Sequence, residues 1–570
     1  MKIQLEKFSG IAPGVAPRLL AEQFAQVAQN LDFESGVLAP ITADVDVFTL
    51  GNSSRRSIFY YNNTNWLEWA EDDIHAVKGP IPNDAYDRLY FTGDDYPRMG
   101  TAASLISGGG TYPNVSYRLG VPAPVSAPTV SQSGTPDPAE TANTVAYVYT
   151  FVTEYGEEGP PSPASVLLDI TSPETVTIEM FSADHPAGNY NFGAAALKRI
   201  YRANTGSETT TYQFVAEIPF TTETYDDTTP AAELAEVLPS DTWIGPPDDD
   251  SSLYPDGPLM GLCPVANGIL AGFTGNRLCL SEPYLPHAWP AEYRKTIEDN
   301  IVAIAATSNG VVVLTDNTPY FFTGVDPSAM TATKVPLAQA CINARSSVDM
   351  GEYVIYAGPD GLCKVGNGQG EVITQGVISP KQWNADFHPD IYRAFEHEGT
   401  YVAFWYSGSV QGGFVYDPRS VESALSTLLL SDEVRGGWTN PKDGKTYVIV
   451  GDKIKQYRGG TEKRTMIWKS KKFVLPRPAN FGWVYVDADA YPVEVKVWCD
   501  AALVAHYTLT KSGTVYTQTS TVPSVTGTAI GSRPAMRLPN AVGQEWEVQV
   551  TGATNVNEVT LAQSIAEIAS

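Results

Sequence analysis

Short apolar segments separated by tight turns recur through the middle of this chain. The clearest one, Ile301–Gly324, reads IVAIAATSNGVVVLTDNTPYFFTG and predicts three strands, at Ile301–Ala306, Val311–Leu314 and Tyr320–Phe322. The pair Asn309-Gly310 predicts a two-residue hairpin turn between the first two strands, because both residue types accept positive φ. The pattern therefore predicts an antiparallel unit of short strands.

Comparable strand–turn–strand segments occur on both sides of this unit. They lie at Gly268–Glu282, Glu352–Ile373, Thr400–Asp417 and Lys445–Gly459. A spacing of roughly 35–50 residues between such units is typical of β-propeller blades or another radial array. We therefore predict a propeller, with its last blade closed by the segment Asn30–Ile41 lying beside Tyr447–Tyr457.

A second type of β pattern follows the proline-rich segment Val121–Glu140. Thr144–Glu154, TVAYVYTFVTE, alternates with a period of two, and further short strands continue to about residue 226. Such a series of short strands and turns is typical of an antiparallel sandwich. The phrases ALKRIYRANTGSETTTYQFVAEI and TETYDDT resemble a fibronectin type III domain. Because hairpins precede and follow it, we predict that this sandwich is inserted into one propeller.

The end of the chain alternates again, at Val493–Trp498 and Glu545–Val550, and predicts a C-terminal β-sandwich. The predicted fold is thus mainly β: a β-propeller with an inserted fibronectin type III-like sandwich and a C-terminal β-sandwich. We assign residues 1–120 to an N-terminal entry segment and the first propeller hairpins, and 121–240 to the inserted sandwich. Residues 241–465 are assigned to the remaining blades and 466–570 to the C-terminal domain.

The charge of the chain is large, negative and uneven. A net charge of −27 argues against a surface that binds nucleic acid, since phosphate binding needs clustered Lys and Arg. Residues 201–260 hold a single basic side chain, Arg202, whereas the segment 451–480 is strongly basic. Opposite patches of this kind can attract copies or partners. We therefore take the basic set as a candidate subunit or partner interface, with a solvated face as the open alternative: Lys453, Lys455, Arg458, Lys463, Arg464, Lys469, Lys471, Lys472 and Arg477.

Cysteine usage and hydropathy bear on where the chain is made. The 5 cysteines are scattered and form no C-x-x-C pair, so we predict buried reduced thiols and synthesis in a reducing cytoplasm. The first residues, MKIQLEKFSG, lack the apolar core of a secretory signal. No apolar run approaches the length of a membrane-spanning helix, so no membrane-spanning segment is predicted.

A search for catalytic and metal motifs gives no defensible active site. His388 and His397 do not have the spacing of zinc ligands, and Asp248-Asp249-Asp250 lacks the spaced ligands of a calcium loop. The chain contains no G-x-S-x-G elbow and no phosphate-binding loop. We predict a protein that is not an enzyme, with no catalytic residue, cofactor or metal.

Several phrases resemble the tail hub or nozzle proteins of short-tailed bacteriophages. The N-terminal phrase is FSGIAPGVAPRLLAEQFAQVAQNLDFESGVLAPI. The middle phrases are LPSDTWIGPP and LMGLCPVANGILAGFTGNRLCLSEPYLPHAWP. The C-terminal phrases are VYVDADAYPVEVKVW, RPAMRLPN and WEVQVTGATNVNEVTLAQSIAEI. The resemblance touches most of the chain and carries no catalytic motif.

This resemblance implies a structural protein of the virion tail, made in the cytoplasm of the bacterial host. Its partners would be further copies of itself in a ring, commonly a hexamer, the tail adaptor protein, and tail fibre or spike proteins. Genomic DNA would pass through the channel during ejection without specific binding. We expect the acidic loops of 201–260 to face solvent or the channel and the basic segment to face a neighbour. The alternatives are a receptor-binding or polysaccharide-degrading tail component, and a host surface adhesin.

Overall fold

The computed structural model describes residues 1–171, 174–182, 184–204, 211–406, 408, 411–420 and 424–569. These residues form two compact units. Unit 1 comprises Met1–Ile58, Asn317–Pro319 and Val335–Ser570, and unit 2 comprises Phe59–Asp316 and Tyr320–Lys334. The prediction of a mainly β chain is confirmed, because strands make up most of the ordered elements in both units.

Helices in the described residues are few and short. The α-helices are Ala102–Leu105, Pro380–Asp386 and Ala566–Ala569, and the 3₁₀ turns are Ala231–Glu233, Ala266–Gly268, Ala291–Tyr293 and Ala344–Ser346. No helix among the described residues is long and apolar enough to span a membrane.

Four-stranded antiparallel sheets, each built from strands consecutive in sequence, make up much of unit 2. The 75–118 sheet contains His75–Lys78, Leu89–Thr92, Arg98–Gly100 and Tyr117–Arg118. The 260–296 sheet contains Met260–Pro264, Leu270–Thr274, Arg277–Leu280 and Lys295–Thr296. The 301–334 sheet contains Ile301–Thr307, Gly310–Thr315, Tyr320–Thr323 and Thr331–Lys334. A separate pair of strands, Ser57–Tyr61 and Asn65–Trp69, precedes them.

Unit 1 contains sheets of the same type. The 348–372 sheet contains Val348–Asp349, Val354–Gly358, Gly361–Gly366 and Gln369–Val372. The 393–428 sheet contains Arg393–His397, Thr400–Tyr406, Gln411–Asp417 and Ala424–Leu428. The 434–456 sheet contains Val434–Thr439, Thr446–Val450 and Lys453–Gln456, followed by the N-terminal strand Val45–Thr49.

Successive sheets within each unit pack face to face through shared apolar cores. In unit 2, Ile269 of the 260–296 region and Val313 of the 301–334 sheet belong to one buried cluster. In unit 1, Phe404 of the 393–428 sheet, Val448 of the 434–456 sheet and Ile41 belong to another. Four-stranded meanders that stack on their neighbours are the arrangement of propeller blades, so the fold is propeller-like within each unit.

The hairpin Ile301–Gly324 forms the three predicted strands, but its turn lies one residue earlier. Thr307 pairs with Gly310, so Ser308 and Asn309 form the loop and Gly310 begins the second strand. A Cβ at Gly310 would collide with the carbonyl oxygen of Phe322. The glycine is therefore required by a close approach between strands, and the predicted Asn309-Gly310 turn is wrong.

The strand that completes the 434–456 sheet also differs from the prediction. Val45–Thr49 pairs antiparallel with Lys453–Gln456. The predicted segment, Asn30–Ile41, turns back on itself because its short strands Leu31–Asp32 and Ala39–Pro40 pair with each other. Ile41 still packs in one core with Val448 and Tyr457, so the predicted segment does lie beside Tyr447–Tyr457. The strand that completes the sheet, however, is Val45–Thr49.

The residues between the 75–118 and 260–296 sheets form a two-sheet sandwich. One sheet has the order Thr129–Ser133, Thr175–Glu179, Thr224–Asp227, and the other has the order Leu168–Ile170, Asn143–Val152, Leu197–Asn204, Tyr212–Pro219. Tyr147, Ile178 and Ile200 lie in their common core. The entry and exit of this insertion run side by side, since a Cβ at Gly120 would lie 2.9 Å from the Cα of Gly245. An inserted sandwich is therefore present, and its fibronectin type III identity stays a prediction.

The C-terminal domain is a second sandwich, and the N-terminal segment contributes strands to both of its sheets. Its first sheet has the order Lys2–Leu5, Val556–Ala562, Trp483–Ala488, Ala535–Arg537. Its second sheet is continuous with the 393–428 sheet, because Gln29 pairs parallel with Thr427. From there it runs Ala25–Gln29, Met466–Ser470, Gly543–Gly552, Val493–Cys499, Ala502–Ser512, Val515–Val522, Ser524–Gly531, with Phe473–Ala479 also paired to Gly543–Gly552. Residues 1–29 thus belong structurally with residues 466–562. The predicted domain boundaries at residues 120 and 466 place these two segments in different domains, so the prediction misses this long-range association.

The cysteines are all free thiols, and four of them, Cys279, Cys341, Cys363 and Cys499, are buried, whereas Cys263 is half-buried. Burial raises the pKa of the Cys279 thiol to about 12, so it stays protonated near neutral pH. Buried thiols were predicted, and the structure confirms them at four of the five positions.

Candidate interaction surface

The basic segment 451–480 runs from the last strands of the 434–456 sheet into the C-terminal domain. Lys453 and Lys455 lie on the strand Lys453–Gln456, and Lys469 lies on Met466–Ser470. The edge strand Phe473–Ala479 carries Arg477. The basic residues of this segment are therefore distributed over several elements of unit 1.

Arg458 and Arg464 bind carboxylates of the N-terminal segment. The Arg458 Nη2 donates to Asp32 Oδ2 at 2.5 Å, and the Arg464 Nη2 donates to Asp44 Oδ2 at 2.8 Å. Burial would raise the pKa of Asp32, but hydrogen bonds from Arg458 and from the backbone of Glu34 outweigh that effect and lower it below its usual range. These ion pairs attach the segment around residues 32–44 to the 434–456 sheet.

His397 and Tyr457 complete this group, which we call the Arg458 cluster (Asp32, Asp44, His397, Tyr457, Arg458 and Arg464). Their rings meet edge to face at 4.9 Å, and His397 Nδ1 lies 3.1 Å from Thr446 Oγ1. Burial, together with the nearby Arg458 charge, lowers the pKa of His397 to about 4. The imidazole is therefore neutral near pH 7 and acts as a buried packing group.

Lys469 and Lys472 bind the C-terminal domain. Lys469 Nζ lies 3.3 Å from Glu547 Oε2 and 4.6 Å from the centroid of the Trp498 ring. Lys472 Nζ donates to Glu545 Oε2 at 2.8 Å. Both lysines therefore neutralise carboxylates on the strand Gly543–Gly552.

The remaining basic residues make weaker or more exposed contacts. Lys455 pairs with Asp46, Lys453 donates to Thr49 Oγ1, and Lys463 donates to Asn555. Lys471 lies 5.9 Å from the Phe473 ring centroid, and Arg477 is exposed. The structure thus uses most of the candidate interface residues inside one chain, and their role toward a neighbouring copy stays a prediction.

Comparisons with known proteins give structural similarity only. No family model matches the chain, and no curated protein matches it. Among solved structures, YCF48 from Cyanidioschyzon merolae is similar, with 10% identity, coverage of 73% of this chain and 98% of that chain, and a TM-score of 0.24. A catalytically inactive virginiamycin B lyase from Staphylococcus aureus with quinupristin is similar at 9% identity over 57% of this chain and 98% of that chain, with a TM-score of 0.22.

A third similar structure is the N-terminal domain of Nup159, at 10% identity over 52% of this chain and 90% of that chain, with a TM-score of 0.23. These neighbours are β-propeller proteins. All three TM-scores are low, so these similarities carry no argument about function.

The acidic segment 201–260 is partly neutralised inside unit 2. Arg202 Nη1 donates to Asp227 Oδ2 at 2.7 Å, and both side chains are buried. Arg118 pairs with Asp249 and, at 3.5 Å, with Asp248. The predicted acidic loop is therefore tied to the end of the 75–118 sheet, and Asp250 instead accepts hydrogen bonds from Ser252.

A buried polar hub in the inserted sandwich was not found by sequence reasoning. Glu158, with a side chain 2% exposed, accepts hydrogen bonds from Thr150, Tyr201 and Arg199. The neighbouring Glu157 accepts one from Arg88 at 2.6 Å. Nothing in the local pattern GEEGP marks these carboxylates as buried, since their partners come from distant strands.

Within the described residues, no group of His, Cys, Asp and Glu side chains has the arrangement of a metal site. His388 and His397, whose spacing does not fit zinc ligands, lie beside different rings, Trp405 and Tyr457. The geometry of the basic segment and its acidic partners is that of a structural ion-pair network.

Proposed function

We propose that this protein is a structural component of a bacteriophage tail, the nozzle or hub ring that forms the distal DNA channel. In this proposal the ring attaches to the tail adaptor and to fibres or spikes. The blade-type sheets would be those of a β-propeller, and the inserted sandwich would be of fibronectin type III type. The protein would act in the virion and catalyse no reaction.

One observation carries the proposal: the N-terminal and C-terminal phrases that resemble nozzle proteins belong to one folded domain. Leu38 of the N-terminal phrase and Val556 of the last C-terminal phrase exchange two backbone hydrogen bonds, at 3.1 and 3.0 Å. Phe8 meets Trp468 edge to face at a centroid distance of 5.0 Å, and both are buried. Two sequence segments that lie at opposite ends of the chain thus stabilise each other in one domain, as expected if they were inherited together.

The charge arrangement supports a channel that DNA passes without binding. DNA affinity depends on cationic side chains that are free to replace counterions at phosphates. Arg458, Arg464, Lys469 and Lys472 instead bind carboxylates of their own chain. With the net charge of −27, this leaves the protein electrostatically unfavourable for DNA adhesion.

The test is native mass spectrometry of the purified full chain, combined with electron microscopy of the same particles. We expect a closed ring of identical copies, six in the simplest case, with an open central channel. A mobility-shift titration with duplex DNA should show no complex near physiological salt. A monomer at all concentrations, or a trimer that cleaves host polysaccharide, would overturn the proposal.

A further inference from the structure

The edges of the sheets in unit 1 are mostly protected against pairing with other chains. Native proteins block exposed edge strands with charged residues, proline or short length. The edge strand Phe473–Ala479 contains Pro476, Arg477 and Pro478. Arg393–His397 and Lys2–Leu5 contain charged residues, and Val348–Asp349 is only 2 residues long.

The edge strand Ser524–Gly531 has none of these protective features. Its 8 residues, SVTGTAIG, include no charge and no proline, and it is the last strand of its sheet. Thr517 and Gln518 of the preceding strand pair with Ala529 and Thr528, which leaves the opposite edge outermost. Gly527, Thr528 and Ala529 are exposed. A native strand of this composition is a template for another strand.

A second unusual edge lies in the same unit, at Val45–Thr49. All five residues of this strand are exposed, including Val45 at 41%, Val47 at 42% and Phe48 at 40%. Its one charged residue, Asp46, is paired with Lys455 on the neighbouring strand. The strand is the last of the 434–456 sheet, so it too presents an outer edge with apolar side chains.

We propose that Ser524–Gly531 of one copy pairs with Val45–Thr49 of the next copy, adding a strand across the subunit boundary. This inference rests on the proposed ring, and it names the strands that build the interface. Each copy offers two different edges, and a contact between different surfaces is what a rotational ring requires, whereas pairing of identical edges would stop at a dimer. The main-chain hydrogen bonds would supply affinity, and the exposed valines and Phe48 would supply buried apolar area.

The first test adds charge to the proposed edge. The variant Gly527→Lys/Ala529→Lys places two lysines on Ser524–Gly531, where Gly527 has no atom nearer than 3.4 Å to an added Cβ. The control, Thr519→Lys, adds a lysine to an exposed position of the adjacent inner strand. By native mass spectrometry we expect the edge variant to be monomeric at concentrations where the wild type and the control are rings.

The second test uses two separate cysteine variants, Val47→Cys and Ala529→Cys, mixed and then oxidised. We expect a disulfide between the two different variants and little between copies of the same variant. If the variant with both lysines still forms a ring, the proposed strand pairing is refuted, but the proposed function is not. If disulfides form only between two Ala529→Cys chains, the pairing of two different edges is refuted. A wild type that never assembles would overturn both.

Discussion

Arg458 donates a hydrogen bond to Asp32 at 2.5 Å, although 426 positions separate the two residues in sequence. Asp32 belongs to the N-terminal segment and Arg458 follows the last central strand of the 434–456 sheet. Together with a second ion pair, between Arg464 and Asp44, this contact attaches the N-terminal segment to the later sheets of unit 1. A basic segment that resembles a docking surface in the sequence is thus first of all an internal connection.

Breaking this pair should destabilise unit 1. A double-mutant cycle with Asp32→Asn and Arg458→Gln should give a coupling free energy of about 1–2 kcal/mol, because both side chains are largely shielded from solvent. The matched control is the pair Asp46–Lys455, whose carboxylate is 58% exposed. Its coupling should stay below about 0.5 kcal/mol. Urea unfolding of the full chain measures both, and equal couplings would contradict the structural difference.

His397 should make unit 1 sensitive to mild acid. Its pKa in the folded protein is about 4, against about 6.5 in the unfolded chain. The unfolded chain therefore binds the proton more readily, so the stabilisation is complete above pH 6.5 and is lost as pH falls toward 4, by roughly 3 kcal/mol. His397→Gln should reduce this slope in urea titrations across pH, and an unchanged slope would contradict a buried neutral imidazole at this position.

Phe8 should stabilise the C-terminal domain from the far end of the sequence. Its side chain is 2% exposed and packs against Trp468, so Phe8→Ala should lower the free energy of unfolding by about 3–5 kcal/mol. Leu19→Ala is the control, since Leu19 is 69% exposed and should change stability by less than about 0.5 kcal/mol. Tryptophan fluorescence during denaturation reports the loss directly, and similar values for both variants would contradict this packing.

Gly310 should tolerate no side chain. An added Cβ meets the carbonyl oxygen of Phe322 on the adjacent strand, so Gly310→Ala should cost at least about 2 kcal/mol through displacement of the hairpin. Gly527→Ala, where the nearest atom to the new Cβ is 3.4 Å away, should be nearly neutral. Thermal unfolding compares the two variants, and an unchanged melting temperature for Gly310→Ala would show that the strands can move apart freely.

Glu158 should be far more important than Glu217, although both bind Arg199. The Glu158 side chain is 2% exposed and the Glu217 side chain is 37% exposed. Glu158→Ala leaves the buried hydroxyls of Thr150 and Tyr201 without this acceptor and should cost about 2–5 kcal/mol. Glu217→Ala should cost less than about 1 kcal/mol. Amide hydrogen exchange in the inserted sandwich would localise the effect. Equal protection of these amides in both variants would contradict a stabilising role of the Glu158 hydrogen bonds.

Local elements were predictable because their signals are short-ranged. The strands of Ile301–Gly324 follow from alternating and apolar runs, and the buried cysteines follow from their scattered positions. The strand closing the 434–456 sheet was misplaced, since Asn30–Ile41 and Val45–Thr49 carry similar strand signals. The positive charge between Lys453 and Arg477 was also visible in the sequence. The carboxylates that pair with it were not, because the fold decides which distant carboxylates come near.

The β class, the recurring hairpin, the inserted sandwich and the excess of negative charge can all be read from the order of residues along the chain. Each of these depends on residue type and on periodicity over a few positions. That residues 2–29 complete the C-terminal domain, and that Arg458 binds Asp32, becomes visible only in the folded chain. Strand pairing and ion pairing are long-range choices, made by burial and geometry among many chemically similar candidates, and local pattern does not distinguish among them.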